Sequence, residues 1–524
     1  MLQDFPFYIG LIIAILLLIM LADKVKVAYP VILVLAGLLT SFIPGLPKLH
    51  IEAEMIFIIF LPPLLYEAAW NISWKELWKW RRIIGSFAFV VVFLTALSVA
   101  LVTAYLIPGF TLALGFLLGA IVSPPDAVSA AAILKFVKVP RRVVSVLEGE
   151  SLLNDASSLL IFRFAVIAVA TGSFIWQQAA VSFAWMLIGG VLTGLITGYA
   201  FMKLHKFLPT DANIDTVLSL VAPYVMYIAG EQLHSSGVLA VVSGGLLLSH
   251  YRLSFLNSSS RLRGINVWES LCFVLNGLVF MFIGLDLPQI TAGLGGVSIP
   301  AAIGYGLLVT AVLILGRLLS AFGAVVVTMI ARNFITVADS GNIGWKLPLL
   351  IGWSGMRGVV SLASALSIPV MLANGVAFPQ RNLILFITFI VILATLLLQG
   401  LSLPLLIKRL AIPDPDINVS EEDMYIDLKS RLAGHALHHL TTGFGKELEA
   451  HPALQQIADK LKGSGNNADD VLMADEPKEV YRKLLSLQRQ WLIEKNKSDQ
   501  SIDEEVIRRH LMYLDLEEEK LRYV

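Results

Sequence analysis

The sequence predicts an all-α polytopic membrane protein of about thirteen transmembrane helices in inverted repeats, followed by a helical cytoplasmic tail. Three observations predict this. Hydrophobic residues make up 57% of the 524 residues and charged residues only 15%, against roughly 25% charge in soluble domains. Apolar runs recur from Phe7 to Leu410, each of the roughly 18 residues or more that a hydrocarbon core of about 30 Å requires. These runs lack the apolar/polar alternation of a barrel strand, so they are helices.

Cuts at polar and Pro/Gly clusters put the spans near 7–22, 27–44, 51–70, 82–107, 110–137, 142–171, 178–203, 213–231, 236–250, 267–286, 299–331, 346–373 and 382–407. The first is a retained span rather than a signal peptide, because Asp4 precedes it without Lys or Arg and no small-residue cleavage pattern follows. Segments after odd-numbered spans hold 17 basic residues, among them Lys75, Lys79, Lys135, Lys138, Arg252, Arg261 and Arg332, whereas those after even-numbered spans hold only Lys48 and Arg381. The positive-inside rule then places the N-terminus outside and the C-terminus in the cytoplasm. Residues 411–524 form a separate acidic region, net −8 against +8 for residues 1–410. With Cys272 as the sole cysteine, no intramolecular disulfide can form.

Ionisable residues inside spans are costly, at least about 2.5 kcal/mol each on insertion scales, so each needs a reason. Span 5 carries Ser123-Pro-Pro-Asp126. Pro124 and Pro125 remove two backbone donors, so the helix should break and free the carbonyls near Ala120 and Ile121 beside Asp126. Span 6 carries Glu148-Gly-Glu150-Ser151-Leu-Leu-Asn154-Asp155. Ser151 and Asp155 are four apart and share a face, as do Glu150 and Asn154. Span 12 carries Gly355-Met-Arg357-Gly358, a glycine-interrupted stretch with a cation that has no acidic neighbour in its own span; span 11 adds Arg317, and span 3 adds Glu67 after Pro62 and Pro63. A lone membrane charge is often half of a structural ion pair, the reading favoured for Arg317 and Arg357. Asp126 and Asp155 read as functional, one at a broken helix and the other beside Asn and Ser. The breaks fall fourth in the series of spans 2–6 and 9–13, which enter the membrane from opposite sides. That pairing points to an inverted-repeat secondary transporter.

At these motifs, together with Phe60-Leu-Pro-Pro-Leu-Leu-Tyr-Glu67 and Asn276-Gly-Leu-Val-Phe-Met-Phe-Ile-Gly284, residues 1–410 resemble the electroneutral sodium/proton exchanger branch of the monovalent cation/proton antiporters. The resemblance implies a six-helix core in which spans 5 and 12 cross as broken helices, packed on a dimerisation domain. It implies that Asp155 binds either cation or proton, with Ser151 as a further ligand and Asp126 acting directly or through water. The backbone at Pro125 would supply a carbonyl, Glu67 would line the approach or the site, and Glu150 would pair with Arg357. Asn154 would mark one-for-one exchange, since the electrogenic branch has a second Asp there. Many relatives carry Thr where this chain has Pro125, so a hydroxyl is lost or moved to Ser123 or Ser129.

The expected function is exchange of Na⁺ or Li⁺ for H⁺ by alternating access, with K⁺ as the alternative cation and a gated cation channel as the reading from another class. No hydrolase, zinc-protease or nucleotide fingerprint is present, so neither an enzyme nor a resident cofactor is expected. Partners are membrane lipid, the transported cations and a second copy of the chain, with no nucleic acid. The stripe Gly190, Gly194, Gly198 is read as packing within the protomer. In the tail, helical periodicity covers 419–445, 450–463, 475–497 and 500–522, with a joint at Gly463-Ser-Gly-Asn-Asn467. His435, His438 and His439 read as a solvated face, and regulatory contacts of this tail are a hypothesis.

Overall fold

A computed structural model describes residues 5–43, 53–126, 129–130, 139–172, 176–285, 287–294, 296–331, 344–372, 375–412, 421–462, 475–499 and 502–521. Lys48, Lys135, Lys138, Arg332 and the Gly463–Asn467 joint lie outside them. Two compact units are present: one comprises Met1–Leu204, Ser219–Arg252 and Trp268–Asp414, the other His205–Leu218, Leu253–Val267 and Pro415–Val524.

The helices of the first region are α1 (Phe5–Val25), α2 (Tyr29–Thr40), α3 (Ala53–Asn71), α4 (Trp74–Gly85), a π-helical turn (Ser86–Val91), α5 (Val92–Leu106), α6 (Leu112–Val122), α7 (Arg141–Thr171), α8 (Trp176–Phe207), α9 (Ala212–Gln232), α10 (Gly237–Phe255), α11 (Ser258–Leu285), α12 (Leu287–Ala292), α13 (Ile299–Ala331), α14 (Lys346–Trp353), α15 (Val359–Leu366) and α16 (Arg381–Leu410). Among the described residues nine helices are long and apolar enough to cross a membrane, and α2 and α6 are shorter apolar helices. The only β pairing among them is an isolated bridge between Met371 and Ala377.

Span 4 begins earlier than hydropathy suggests. Ser73 caps α4 by accepting the Glu76 N–H at 3.2 Å, and the basic, amphipathic α4 runs through the π turn into α5. Ser73 with Glu76 is the spacing of a capping box. Large apolar side chains such as Leu17, Met20, Ile196, Leu319 and Leu405 are exposed, as lipid-facing residues of a multi-pass membrane protein must be. The interior is equally apolar: α16 buries one face from Leu383 to Leu410 and supplies Ile384 and Phe386 to one core, Phe389 and Leu396 to another.

Small residues set the helix spacing. A Cβ on Gly119 would meet the Ala96 carbonyl of α5 at 2.5 Å, and one on Gly115 would meet Ala100 at 2.7 Å. The α8 stripe packs as expected within the protomer: a Cβ on Gly190 would press on Ser236, one on Gly194 on Ala240, and one on Gly198 on Gly244, all in or just before α10.

The second unit holds α17 (Glu421–Gly443), α18 (Gly445–Ala450), α19 (Pro452–Leu461), α20 (Asp475–Ser498) and α21 (Glu504–Lys520). The tail helices fall where periodicity puts them, but two earlier segments join them. Arg261 forms a buried ion pair with Asp515, whose carboxylate also takes Arg489 at 2.9 Å, while Ser258 and Ser259 donate to Glu518 and Glu519. His205 meets Asp215 at 2.8 Å, and the Ser260 hydroxyl donates to the same carboxylate at 2.6 Å. His435 stacks on Trp491 and touches His439, with His438 exposed. No cluster that could hold a metal ion exists among the described residues.

Candidate functional site

Both predicted breaks are present, and they cross. Without N–H groups on Pro124 and Pro125 the helical ladder cannot continue, and α6 stops at Val122. On the other side α14 ends at Trp353 and α15 begins at Val359. The Asp126 N–H donates to the Met356 carbonyl at 2.7 Å, joining the two breaks backbone to backbone. Glycine at 358 makes room for the Asp126 side chain: a Cβ there would run into its carboxylate, which would have to move.

Arg357, buried at this crossing, does not pair with Glu150. Its Nε donates to the Val122 carbonyl at 2.7 Å and its Nη2 to the Ser123 carbonyl at 3.2 Å, while Nη1 donates to the Gly355 carbonyl. These are the C-terminal ends of α6 and α14, where carbonyls have lost their helical partners and the helix dipole is negative. The cation thus neutralises two broken helix ends at once, which explains why it needs no carboxylate. The last helical bond of α6 is Ser123 N–H to Gly119 at 2.9 Å; Pro124 and Pro125 offer no N–H to the Ala120 and Ile121 carbonyls, the first of which takes the Ser123 hydroxyl at 3.4 Å, and the carbonyls of Val122 and Ser123 beyond them go to Arg357.

Glu150 is instead clasped by Arg317, with Nη1 at 2.5 Å from Oε1 and Nη2 at 2.7 Å from Oε2, both side chains almost completely buried. The guanidinium also lies 5.7 Å from the centroid of the Phe87 ring in the π turn, and glycine at 355 leaves room for it. A bidentate fork is the geometry guanidinium and carboxylate favour. Arg317 stood alone in the sequence; its partner sits 167 positions away.

On α7, one turn beyond Glu150, Asn154 is buried and donates from Nδ2 to the Pro125 carbonyl at 3.2 Å. Asn154 therefore ties the intact helix to the broken one, and the Pro125 carbonyl, expected as a cation ligand, holds this bond. Asp155 beside it is buried, 7% exposed. Among the described residues no hydrogen bond or ion pair reaches its carboxylate. Asp126 lies within electrostatic range of Asp155, and its Oδ2 accepts the Ser129 hydroxyl at 2.6 Å; Ser129, not Ser123, is thus the hydroxyl beside that carboxylate. Ser151, half-buried, lies one turn before Asp155 on α7. Glu67 on α3 accepts from Asn71 at 2.6 Å, and Tyr29 is in electrostatic range of both Glu67 and Asp126.

Residues 11–409 match the family model described as sodium/hydrogen exchanger, transmembrane. The chain belongs to the sodium/hydrogen exchanger family. A Bacillus subtilis relative named a sodium, potassium, lithium and rubidium/H⁺ antiporter is 36% identical over 389 residues, covering 72% of this chain and 57% of the relative, so the match spans little more than half of that protein. A Mycobacterium bovis relative named an uncharacterized Na⁺/H⁺ exchanger is 30% identical over 525 residues, 98% of this chain and 95% of its own length. The sodium proton antiporter MjNhaP1 of Methanocaldococcus jannaschii, solved at pH 8, superposes with a TM-score of 0.61 at 17% identity, covering 78% of this chain and 99% of its own. The chain thus shares that protein's fold.

Several supporting groups had no usable sequence signal. The Thr395 hydroxyl accepts the Arg357 N–H at 3.2 Å, and the Ser157 hydroxyl donates to the Ala88 carbonyl in the π turn. Hydroxyls in apolar helices usually bond their own backbone, so neither stands out in a string. A π turn next to a functional helix is a recurrent association, but its position is set by this packing.

Proposed function

We propose that this exchanger is a secondary active transporter that exchanges Na⁺ or Li⁺ for H⁺, one for one, by alternating access, with Asp155 as the group that carries either ion. The observation that carries this reading is the Asp155 carboxylate, buried and without a hydrogen bond or ion pair among the described residues, while the buried Arg317 is committed to Glu150 and the buried Arg357 to helix ends. A buried bare charge is strongly penalised. Such a carboxylate is stable in a dehydrated state only when a proton or a small cation neutralises it, and it cannot hold both. Moving the site between the two faces then couples the fluxes.

Asp126 and Ser151 complete the candidate ligand set, with Ser129 orienting Asp126 and Glu67 on the approach. Glu150 with Arg317, and Arg357 at the helix ends, are the rigid frame. Asn154 adds no charge, so the loaded site carries one positive or one protonic charge per cycle, which supports electroneutral exchange. The 17 basic residues after odd-numbered spans support an external N-terminus and a cytoplasmic tail, and the family resemblance supports a homodimer.

A K⁺/H⁺ reading draws on the name of the Bacillus relative and on Pro125 standing where a hydroxyl residue is common. The test is proton flux in vesicles with Na⁺, Li⁺ and K⁺ added separately, with and without an imposed membrane potential. Flux driven by Na⁺ or Li⁺ and indifferent to potential is expected. Potential-dependent rates would overturn the stoichiometry, flux with K⁺ alone would favour the alternative, and single-channel current would overturn the transporter reading.

A further inference from the structure

We propose that Arg163 and Glu231 form an ion-pair gate over a cation passage that reaches Asp155 from the membrane face at which α7 ends. The inference rests on the antiport reading above and adds a route and a gate to it.

A half-open cleft of about 320 Å³ lies beside the C-terminal half of α7, with Arg163, Glu231, Ser236 and Ser367 set among apolar side chains such as Leu159 and Phe162. At about 30 Å³ per water it has room for roughly ten waters, enough for a partly hydrated monovalent cation. Asp155, Leu159 and Arg163 follow one another at four-residue steps on one face of α7, so the cavity lining begins one turn from the carboxylate and Arg163 lies about 12 Å along the helix. Ser367, just past α15, brings the second broken segment to the same space.

The pair at this cavity is built unlike the buried one. Nη2 of Arg163 meets both oxygens of Glu231 at 2.5 Å, yet the two side chains are 37% and 32% exposed. Glu231 is the fixed half: its Oε1 also accepts the N–H of Gly237 at the start of α10, at 3.1 Å. Arg163 is the half that travels with the helix of Asp155. An ion pair this exposed biases an equilibrium by no more than about fivefold, too little for a structural clasp but suited to one that opens every cycle. Closed, the guanidinium repels an approaching cation and uses the carboxylate. Open, Glu231 is left as an anionic stopping point above Asp155.

The experiment labels a cysteine in the passage with an impermeant cationic methanethiosulfonate, in vesicles of each sidedness, after the sole cysteine, the buried Cys272, is replaced by alanine and transport is confirmed. Leu159→Cys is expected to react from the face where α7 ends, slowly with the pair intact and about tenfold faster with Arg163→Gln. Ser367→Cys gives a second reporter should the buried position not tolerate change. Glu231→Gln should raise the apparent KM for Na⁺ on that face about three- to tenfold while leaving KM on the other face alone. The swap of Arg163→Glu with Glu231→Arg should restore slow labelling. Labelling from the opposite face, or rates and KM indifferent to both single changes in a chain that transports, would overturn the gate alone. Absence of cation-dependent proton movement in the unaltered chain would instead strike the antiport reading on which it rests.

Discussion

Glu150 and Asp155 are carboxylates five residues apart on α7, both buried, and their surroundings could hardly differ more. Glu150 is clasped by Arg317 through two short hydrogen bonds; the Asp155 carboxylate has no hydrogen bond or ion pair among the described residues. A buried carboxylate with a permanent counter-ion is part of the scaffold. On the proposed reading, one without it takes its neutralising charge, proton or cation, from solution, and a group that exchanges counter-ions is what an antiporter requires. The difference is one of partners, since both are the same kind of acid in the same helix.

Four changes would break or sharpen that contrast. The largest effect is expected for Asp155→Asn, which should abolish cation-dependent proton movement in vesicles while insertion and thermal stability stay as they were. Residual exchange would mean another carboxylate carries the ion. Next is Arg317→Met, which leaves Glu150 buried without its cation and should cost about 3–5 kcal/mol, read as a fall in melting temperature and yield. The double change with Glu150→Leu should recover most of that loss, as replacement of a buried pair by apolar groups often does. If Glu150→Gln removed transport while the protein stayed fully stable, the division into frame and carrier would be wrong.

Gly358→Ala tests the crossing itself. The added methyl group collides with the Asp126 carboxylate, and overpacking of this kind costs about 1–3 kcal/mol. A raised KM for the cation at retained expression is expected, whereas unchanged transport kinetics would place Asp126 outside the site.

The smallest effect lies in the tail. His510 is buried, stacked 4.2 Å from Tyr425, with Nε2 near the Tyr425 carbonyl at 3.3 Å. Burial is the main cause holding its pKa below the usual histidine value. A group with a lowered folded pKa binds fewer protons folded than unfolded, so its contribution is fully present above a pH of about 6.5 and fades as pH falls through the folded pKa. Hydrogen exchange of residues 421–443 and 504–520 in the full chain should therefore quicken on acidification, and His510→Phe should blunt that response. An identical pH response in that variant would assign the effect elsewhere.

Much of this protein was legible residue by residue. Pro124 and Pro125 stop α6 in any context, because the missing N–H groups are a property of proline. Hydropathy marked the spans for the same local reason, and the cost of intramembrane charge singled out Asp126, Asp155, Arg317 and Arg357. The same criterion applies to Arg163 within span 6 and to Glu231 at the end of span 8, whose charges the sequence leaves without a partner in their own spans. The tail helices followed from periodicity, but not the joining of Arg261 to Asp515, separated by 254 positions.

The sequence by itself thus determined where the chain enters the membrane, where two helices must break, and which side chains are too costly to be there without purpose. Only the tertiary structure decided who pairs with whom: Glu150 with Arg317, Arg357 with the ends of α6 and α14, Asn154 with the Pro125 carbonyl. The physical reason is that insertion and helix breaking are priced locally along the chain, whereas a buried charge is satisfied by whatever lies within about 3 Å in space, and that distance carries no trace in sequence order.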